Sequence, residues 1–328
     1  MPSSRPVRPH TSRAHGNLSG LVRDLSLALR EKVLPMLGSH AGRAHAGELA
    51  AGGDVTFKID EEAEALLESW LAERAPDVAF YSEDRGLVLP GRGDPSVVLV
   101  VDPIDGTRPA MAGLESCCVS VAAAPLREGV TLGEVSVGCV VEIKSGAVFL
   151  AERGGGVVEG PPVRLSANDR IDRMFWTYGF RGRPARPTVE VIGELVDRSS
   201  VGGASFELGS AAFDMTRVVT GQLDCYVEAG PRLVADVPGM EDEFRRVGGG
   251  ELLNNSPYDL AAAALVLEEA GAIVTDAYGQ PLSGRPLLGS GGEFQMSIVA
   301  SANRALHEAV LAEVDAGMAR LANLPLRR

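Results

Sequence analysis

Val97-Val98-Leu99-Val100-Val101-Asp102-Pro103-Ile104-Asp105-Gly106-Thr107 is the most informative stretch of this 328-residue chain. Its first five residues are apolar and mostly β-branched, the composition of a buried strand. Asp102 and Asp105 follow at the strand's end, where Pro103 and Gly106 disfavour regular pairing and favour a turn. Two acids held close together repel each other unless a cation neutralises them, so a divalent metal is a natural partner. Gly106 and Thr107 offer small side chains and backbone N–H groups, and Pro109 suits the first turn of a helix. A helix start beside a metal is a place to hold phosphate. The same residues also fit a solvated turn, because Asp-Pro and Asp-Gly are common turn formers.

The bulk numbers narrow the class. Hydrophobic residues make up 45% of the chain and charged residues 23%, an ordinary balance for a globular protein long enough to bury a large core. The net charge of -13 argues against binding a nucleic-acid polymer, which needs a basic surface. A small phosphorylated substrate is not excluded, since local positive charge from a metal suffices for it. Cys117, Cys118, Cys139 and Cys225 show no zinc-ligand spacing and read as small buried hydrophobes in a reducing, cytoplasmic compartment. No apolar run approaches the roughly 20 residues that cross a bilayer, so no membrane partner is expected. Residues 1–17 read as a disordered tail, Ser-, Pro- and Gly-containing, with Arg5, Arg8 and Arg13 and no acid.

Helical spacing predicts a first helix from Leu18 toward Gly38, which Pro35 can end sooner, and a second from Ile59 to Ala72 with Asp60 at its start. Between them, Ala41 to Gly53 is small and Gly-rich and reads as a mobile loop. Short strands are expected at Val78–Tyr81, Val97–Val101, Cys118–Ala123, Val135–Glu142 and Ala147–Ala151, with a Gly-rich turn at Arg153–Gly160. The remainder mixes helices (Thr188–Asp197, Gly209–Val219, Pro257–Ala270, Asn303–Ala319) with strands (Met174–Thr177, Gln222–Val227, Ala272–Thr275, Met296–Ala300). The fold class is therefore mixed α/β. It divides into an N-terminal α+β half over 18–155, carrying Asp60, Glu83 and Asp102–Thr107, and a C-terminal α/β half over 156–328, carrying Glu228 and Asp259.

Three further acids stand out by their settings. Glu83 follows a strand in Tyr81-Ser82-Glu83-Asp84, Asp60 opens a helix, and Asp259 opens Tyr258-Asp259-Leu260-Ala261-Ala262-Ala263-Ala264, which ends Glu268-Glu269-Ala270-Gly271. Asp60 and Asp259 also fit as plain helix N-caps, and Glu83 as a surface turn acid.

Taken together, intact Asp102-Pro103-Ile104-Asp105-Gly106-Thr107, the Ser82-Glu83-Asp84 element before it and Asp259 before an Ala-rich helix ending Glu-Ala-Gly resemble the inositol monophosphatase superfamily. Gly209-Ser210-Ala211-Ala212-Phe213 and Gly221–Glu228 extend the resemblance, which runs from about Leu21 to Leu311 in order. These are magnesium-dependent, lithium-sensitive phosphatases, and the resemblance implies their layered αβαβα fold and a homodimer. It further implies that Glu83, Asp102 and the Ile104 carbonyl hold a first Mg²⁺, and that Asp102, Asp105 and Asp259 hold a second. Asp60 would orient water or a weaker third ion. The Gly106 and Thr107 N–H groups would contact phosphate, and Glu83 with the Thr107 hydroxyl would position the attacking water. Glu228 matches a sugar-contacting acid.

The chain departs from the family in two places. Arg108-Pro109 replaces Asn-Phe after the first motif, making Arg108 either a surface residue or a contact to an anionic substrate. A long insertion over about 229–257 separates Glu228 from Asp259, where it is either a lid or a solvated loop. The expected activity is phosphomonoester hydrolysis on a small polyol or sugar phosphate by metal-activated water. The alternatives are a nucleotide 3′-phosphatase or a sugar bisphosphatase, with Arg108, Arg232, Arg245 or Arg246 meeting a second phosphate, or a non-catalytic ligand-binding member of the family.

Overall fold

The chain's architecture follows from a computed structural model that describes residues 18–39, 45–49, 55–91 and 93–323. The tail over 1–17 lies outside the described residues. Strands β1 (His45–Leu49) and β2 (Val55–Phe57) pair antiparallel, so part of the expected Ala41–Gly53 loop is a strand, and the rest of it lies outside the described residues. Helix α1 (Leu18–Val33) buries Val22, Leu25, Leu29 and Val33, one stripe at helical spacing. Pro35 lies within the 3₁₀ turn Leu34–Met36, where the α-helix has already ended. Helix α2 (Lys58–Arg74) follows β2 directly.

Both helices cover one face of a sheet built from β3 (Ala79–Ser82), β4 (Gly86–Val88), β5 (Val97–Asp105), β6 (Cys118–Pro125), β7 (Val137–Glu142), β8 (Val148–Glu152) and β9 (Gly156–Glu159). The spatial order is β4-β3-β5-β6-β7-β8-β9, antiparallel except for the parallel pair β3–β5. Strand β5 is buried on both faces, Leu99 and Val101 toward α1 and α2, Val98 and Val100 toward the opposite core. A continuous apolar run is what a doubly covered strand requires. Cys117 and Cys118 likewise point into opposite cores, and all four cysteines are free and buried.

A second sheet runs β11 (Ala204–Phe206), β10 (Phe175–Tyr178), β12 (Cys225–Glu228), β14 (Ile298–Ser301) and β13 (Ile273–Thr275), parallel across the first three and antiparallel thereafter. Helices α4 (Ala185–Ser199) and α9 (Arg304–Asn323) cover its outer face. Helices α5 (Ala211–Val219) and α8 (Pro257–Ala270) fill the space between the two sheets. The layers are thus αβαβα, as the resemblance implied. The short helix α3 (Thr107–Ala112) leaves the end of β5.

Three differences from the sequence reading have local causes. Arg153–Gly160 is not a simple turn but the end of a hairpin, because Gly154 and Gly156 take positive φ and let β9 fold back onto β8. The boundary drawn at residue 155 therefore falls inside that hairpin. Pro103 does not end β5. The strand continues to Asp105 through a register shift in which Asp102 faces Ser120 and Asp105 faces Cys118, a bulge that absorbs the proline. The insertion is neither a free lid nor a solvated loop. It folds into α6 (Gly230–Asp236) and α7 (Met240–Val247), whose Leu233, Met240 and Phe244 are buried in the core beneath the second sheet.

Helix α8 is apolar all round rather than amphipathic, as expected of a helix in the central layer. Pro257 in its first turn and left-handed Gly271 after its end set its limits. Its alanines admit close neighbours. A Cβ on Gly138 of β7 would stand 2.7 Å from the Ala262 carbonyl oxygen, so glycine is the residue that lets α8 lie on the sheet. Gly138→Ala is expected to destabilise the protein by about 1–3 kcal/mol through overpacking. An unchanged urea midpoint would show that helix and sheet can separate at no cost.

Candidate active site

The bulge in β5 decides where the first two acids point. Residues three apart on a regular strand face opposite sides. The three steps from Asp102 to Asp105 oppose only two on β6, and this extra residue turns both carboxylates to one place. Asp102 then accepts a hydrogen bond from the Ile104 N–H at 2.9 Å. Asp105 accepts from the Ser210 hydroxyl at 2.7 Å and the Ala212 N–H at 2.6 Å, at the start of α5. A helix's first N–H groups lack intrahelical partners and favour a carboxylate.

Asp259 arrives from α8. It is not the N-cap but the third helical residue, and its carboxylate accepts the Ser256 N–H at 2.6 Å, which fixes it at the helix entrance. Asp60 occupies the equivalent place in α2, accepting the Phe57 N–H at 2.9 Å. Its other oxygen lies 3.2 Å from the Thr107 hydroxyl, which is also 3.2 Å from the Ile104 carbonyl. Glu83 leaves the end of β3, whose neighbours are anchored by Ser82 to buried Glu64 at 2.9 Å and by Thr56 to Asp84 at 3.0 Å.

Asp102, Asp105 and Asp259 place ligand atoms within 4.8 Å of one another. Burial pushes the Asp102 carboxyl well above the usual carboxylate range, with Asp105, Asp259 and Glu83 adding like-charge repulsion. Burial raises Asp105 too, opposed by Ser210 and the α5 N–H groups. Asp259 is pushed up to about 7, first by burial and then by Asp105, while Arg181 and Arg183 pull it down. Buried oxygens that repel one another, with no thiolate or imidazole among them, fit a hard divalent cation.

Glu83, Asp102, Ile104, Asp105, Gly106, Thr107, Arg108 and Asp259 line one cleft. Gly106 there has φ +89°, and a Cβ would meet the Ser116 carbonyl oxygen at 2.6 Å, so only glycine turns β5 into α3. Arg108 packs its guanidinium 5.6 Å from the Phe57 ring centroid while lining the cleft. Asp60 meets the cleft through Thr107. Glu228 sits apart. It is 1% exposed, ion-paired with Arg183 and bonded to the Gly230 N–H at 2.6 Å. Arg232 pairs with Asp236 and Asp315, Arg245 with Glu241 and Arg246 with Glu243, and none of the three lines this cleft. The three are therefore not placed as second-phosphate contacts: Arg232 is held by Asp236 of its own helix and Asp315 of α9, and Arg245 and Arg246 by acids of α7.

The sequence reading missed Arg181, Arg183, Ser210 and the segment Leu252–Ser256, which all line the cleft. Ser210 carried a signal as an N-cap type before a helix, and its hydroxyl does accept the Phe213 N–H at 3.3 Å. The arginines carried none, lying in a loop whose place depends on the second sheet. Among the described residues no helix is long and apolar enough to cross a membrane.

A layered αβαβα fold with a carboxylate cluster where β5 ends and α8 begins defines a class of metal-dependent phosphatase. The sequence profile of the inositol monophosphatase family matches residues 22–319, and the chain belongs to that family. It is 27% identical over 305 residues to the fructose-1,6-bisphosphatase/inositol-1-monophosphatase of Methanothermobacter thermautotrophicus, covering 89% of this chain and 96% of that protein. It is 28% identical over 273 residues to the inositol-1-monophosphatase of Mesorhizobium japonicum, covering 81% and 85%. The crystal structure of the extragenic suppressor protein suhB from Bartonella henselae superposes with a TM-score of 0.65 at 20% identity, over 90% of this chain and 97% of that one.

Two outcomes follow. A divalent cation held by this cluster would compete with the proton that Asp259 keeps up to about pH 7, against 3.8 for an ordinary aspartate, so the stabilisation by added Mg²⁺ is expected to grow as pH rises through this window. Melting curves with Mg²⁺ and with a chelator should diverge toward neutral pH and coincide for Asp102→Asn. Secondly, Arg183→Met leaves Glu228 buried and unpaired and should cost about 3–5 kcal/mol in denaturant unfolding, most of it recovered by adding Glu228→Gln.

Proposed function

We propose that the protein is a Mg²⁺-dependent phosphomonoesterase acting on a small polyol or sugar phosphate. The observation that supports this most is the convergence of Asp102, Asp105 and Asp259 within 4.8 Å, beside Glu83 and the Gly106–Thr107 turn. A binding protein without chemistry has no need to crowd buried like charges, which cost stability when unpaired. Glu83, Asp102 and the Ile104 carbonyl would hold one ion and Asp102, Asp105 and Asp259 another, with Asp60 behind a weaker third. When bound, the ions neutralise the phosphate, lower the pKa of water and stabilise the leaving alkoxide.

The remaining roles fall to the chain's own groups. The Gly106 and Thr107 N–H groups, at the turn into α3, hold the phosphate oxygens. The Thr107 hydroxyl has one proton and two acceptors within 3.2 Å, Asp60 and the Ile104 carbonyl. Donating to either leaves its lone pairs to accept a hydrogen bond from the attacking water, which Glu83 helps to orient. Ser210 and the α5 N–H groups keep Asp105 in place, so the cluster cannot relax apart. Lithium sensitivity, a homodimer and a cytoplasmic location complete the reading by likeness to the family.

Phosphate release from a panel of phosphorylated metabolites is expected to require Mg²⁺ and to vanish with chelator. Asp102→Asn and Asp259→Asn should each lower kcat by more than about a hundredfold, and Thr107→Val by about ten- to a hundredfold with little change in KM. A pure, folded protein that releases no phosphate from any member of the panel overturns the reading.

A further inference from the structure

Glu83 is mounted differently from the acids it would work with. Asp102, Asp105 and Asp259 each accept a backbone N–H at a strand bulge or a helix start. Glu83 instead opens a hairpin tip. Ser82 of β3 pairs with Gly86 of β4, which makes Glu83, Asp84 and Arg85 the turn between them. Strand β4 is the edge of its sheet and three residues long. Turns on short edge hairpins are commonly mobile, and a metal ligand there needs a tie to something rigid.

The tie comes from α2, whose Ile59, Ala63, Leu67 and Leu71 are buried in the core against the first sheet. Glu64 on this helix is 2% exposed and reaches both neighbours of Glu83. Its carboxyl group accepts the Ser82 hydroxyl at 2.9 Å and also the Asp84 N–H. Thr56, just before the helix, bonds the Asp84 carboxylate at 3.0 Å, and Arg85 pairs with Glu68 of α2 at 2.6 Å. Glu83 itself lines the cleft. Asp60, one turn before Glu64 on the same helix, meets the Thr107 hydroxyl at 3.2 Å. The Glu83 turn and the turn from β5 into α3 are thus both referred to α2. Another part of the cleft wall has its own brace. There Gly182 packs so closely on Leu253 of the insertion that a Cβ would fall 2.7 Å away, and Glu228 lies against Gly179 while ion-paired with Arg183.

An acid at position 64 is costly. Burial pushes it up to about 7, opposed by the Ser82 hydroxyl, and an apolar side chain would fill the space without that cost. What an apolar side chain cannot do is accept an O–H and an N–H at once. We propose that Glu64 is a positioning residue: through Ser82 and the Asp84 N–H it sets where Glu83 stands, and so how tightly the site holds the cation that Glu83 and Asp102 would share. This rests on the phosphatase reading.

The test titrates the full chain with Mg²⁺ alone by calorimetry and follows the Mg²⁺ dependence of phosphate release. Glu64→Ala should weaken Mg²⁺ binding, and raise the Mg²⁺ concentration for half-maximal rate, by about ten- to a hundredfold. KM at saturating Mg²⁺ should stay within about twofold, since Glu64 touches no substrate. Glu64→Gln, which keeps one acceptor for Ser82, should restore part of the affinity. Ser82→Ala should weaken binding by about threefold or more, yet add little in the Glu64→Ala background, because both act on one turn. Leu67→Ala is the control for a loosened helix: it should lower Tm and leave Mg²⁺ affinity within about twofold. If Glu64→Ala does not fold, Glu64→Gln and Ser82→Ala decide by the same titration. Variants at Glu64 and Ser82 that bind Mg²⁺ as tightly as wild type, or a Leu67→Ala that weakens it equally, overturn the proposal and leave the phosphatase reading standing. Weakened Mg²⁺ binding supports the proposal even if no phosphate is released, whereas a wild-type protein that neither binds Mg²⁺ nor releases phosphate sinks both.

Discussion

Like charges forced together in a low-dielectric site are the constraint around which the molecule is arranged. Asp102, Asp105 and Asp259 would separate if their backbones allowed it. Each is held by a different device: Asp102 by the Ile104 N–H across the bulge, Asp105 by Ser210 and the start of α5, and Asp259 by the Ser256 N–H at the start of α8. Because α5 and α8 both pack in the central layer, the repulsion is transmitted to the core between the sheets and resisted there. The site therefore stores its electrostatic strain in rigid elements instead of in loops, which keeps the acids poised for a cation.

Much of this was legible in the sequence, for physical reasons that differ by element. The limits of α8 were readable because Pro257, an acid in the first turn and Gly271 are local stop and start chemistry. The strand β5 was readable because burial on both faces demands an unbroken apolar run. Its continuation past Pro103 was not, since a bulge depends on the partner strand and leaves no periodic trace. Helices α6 and α7 were hidden by their charged composition: Glu241-Asp242-Glu243 and Arg245-Arg246 read as solvated chain, and only Met240 and Phe244 reveal a buried stripe.

Asp102, Asp105 and Asp259 stood out in the sequence because several short motifs fell in family order, whereas their nearness in space needed the fold. Glu228 shows the opposite case. Its position matched a motif, yet its surroundings are set by Arg183 and Gly179, which come from a different strand's end and carry no pattern of their own. Side-chain partners brought together by tertiary structure are the part of a site that a single sequence conceals.

The contact between Gly182 and Leu253, together with the Arg183–Glu228 pair, has a consequence for how such enzymes diverge. The loop after β10 and the chain leading into α8 are distant in sequence yet form one mechanical piece. A chimera that transplants the insertion alone would import Leu253 against a foreign loop and leave the host's own arginine or acid unmatched. Only a cassette carrying both segments would graft cleanly. The two walls of the cleft should therefore change in step over evolution, while the carboxylate floor, braced from the central layer, is free to stay as it is.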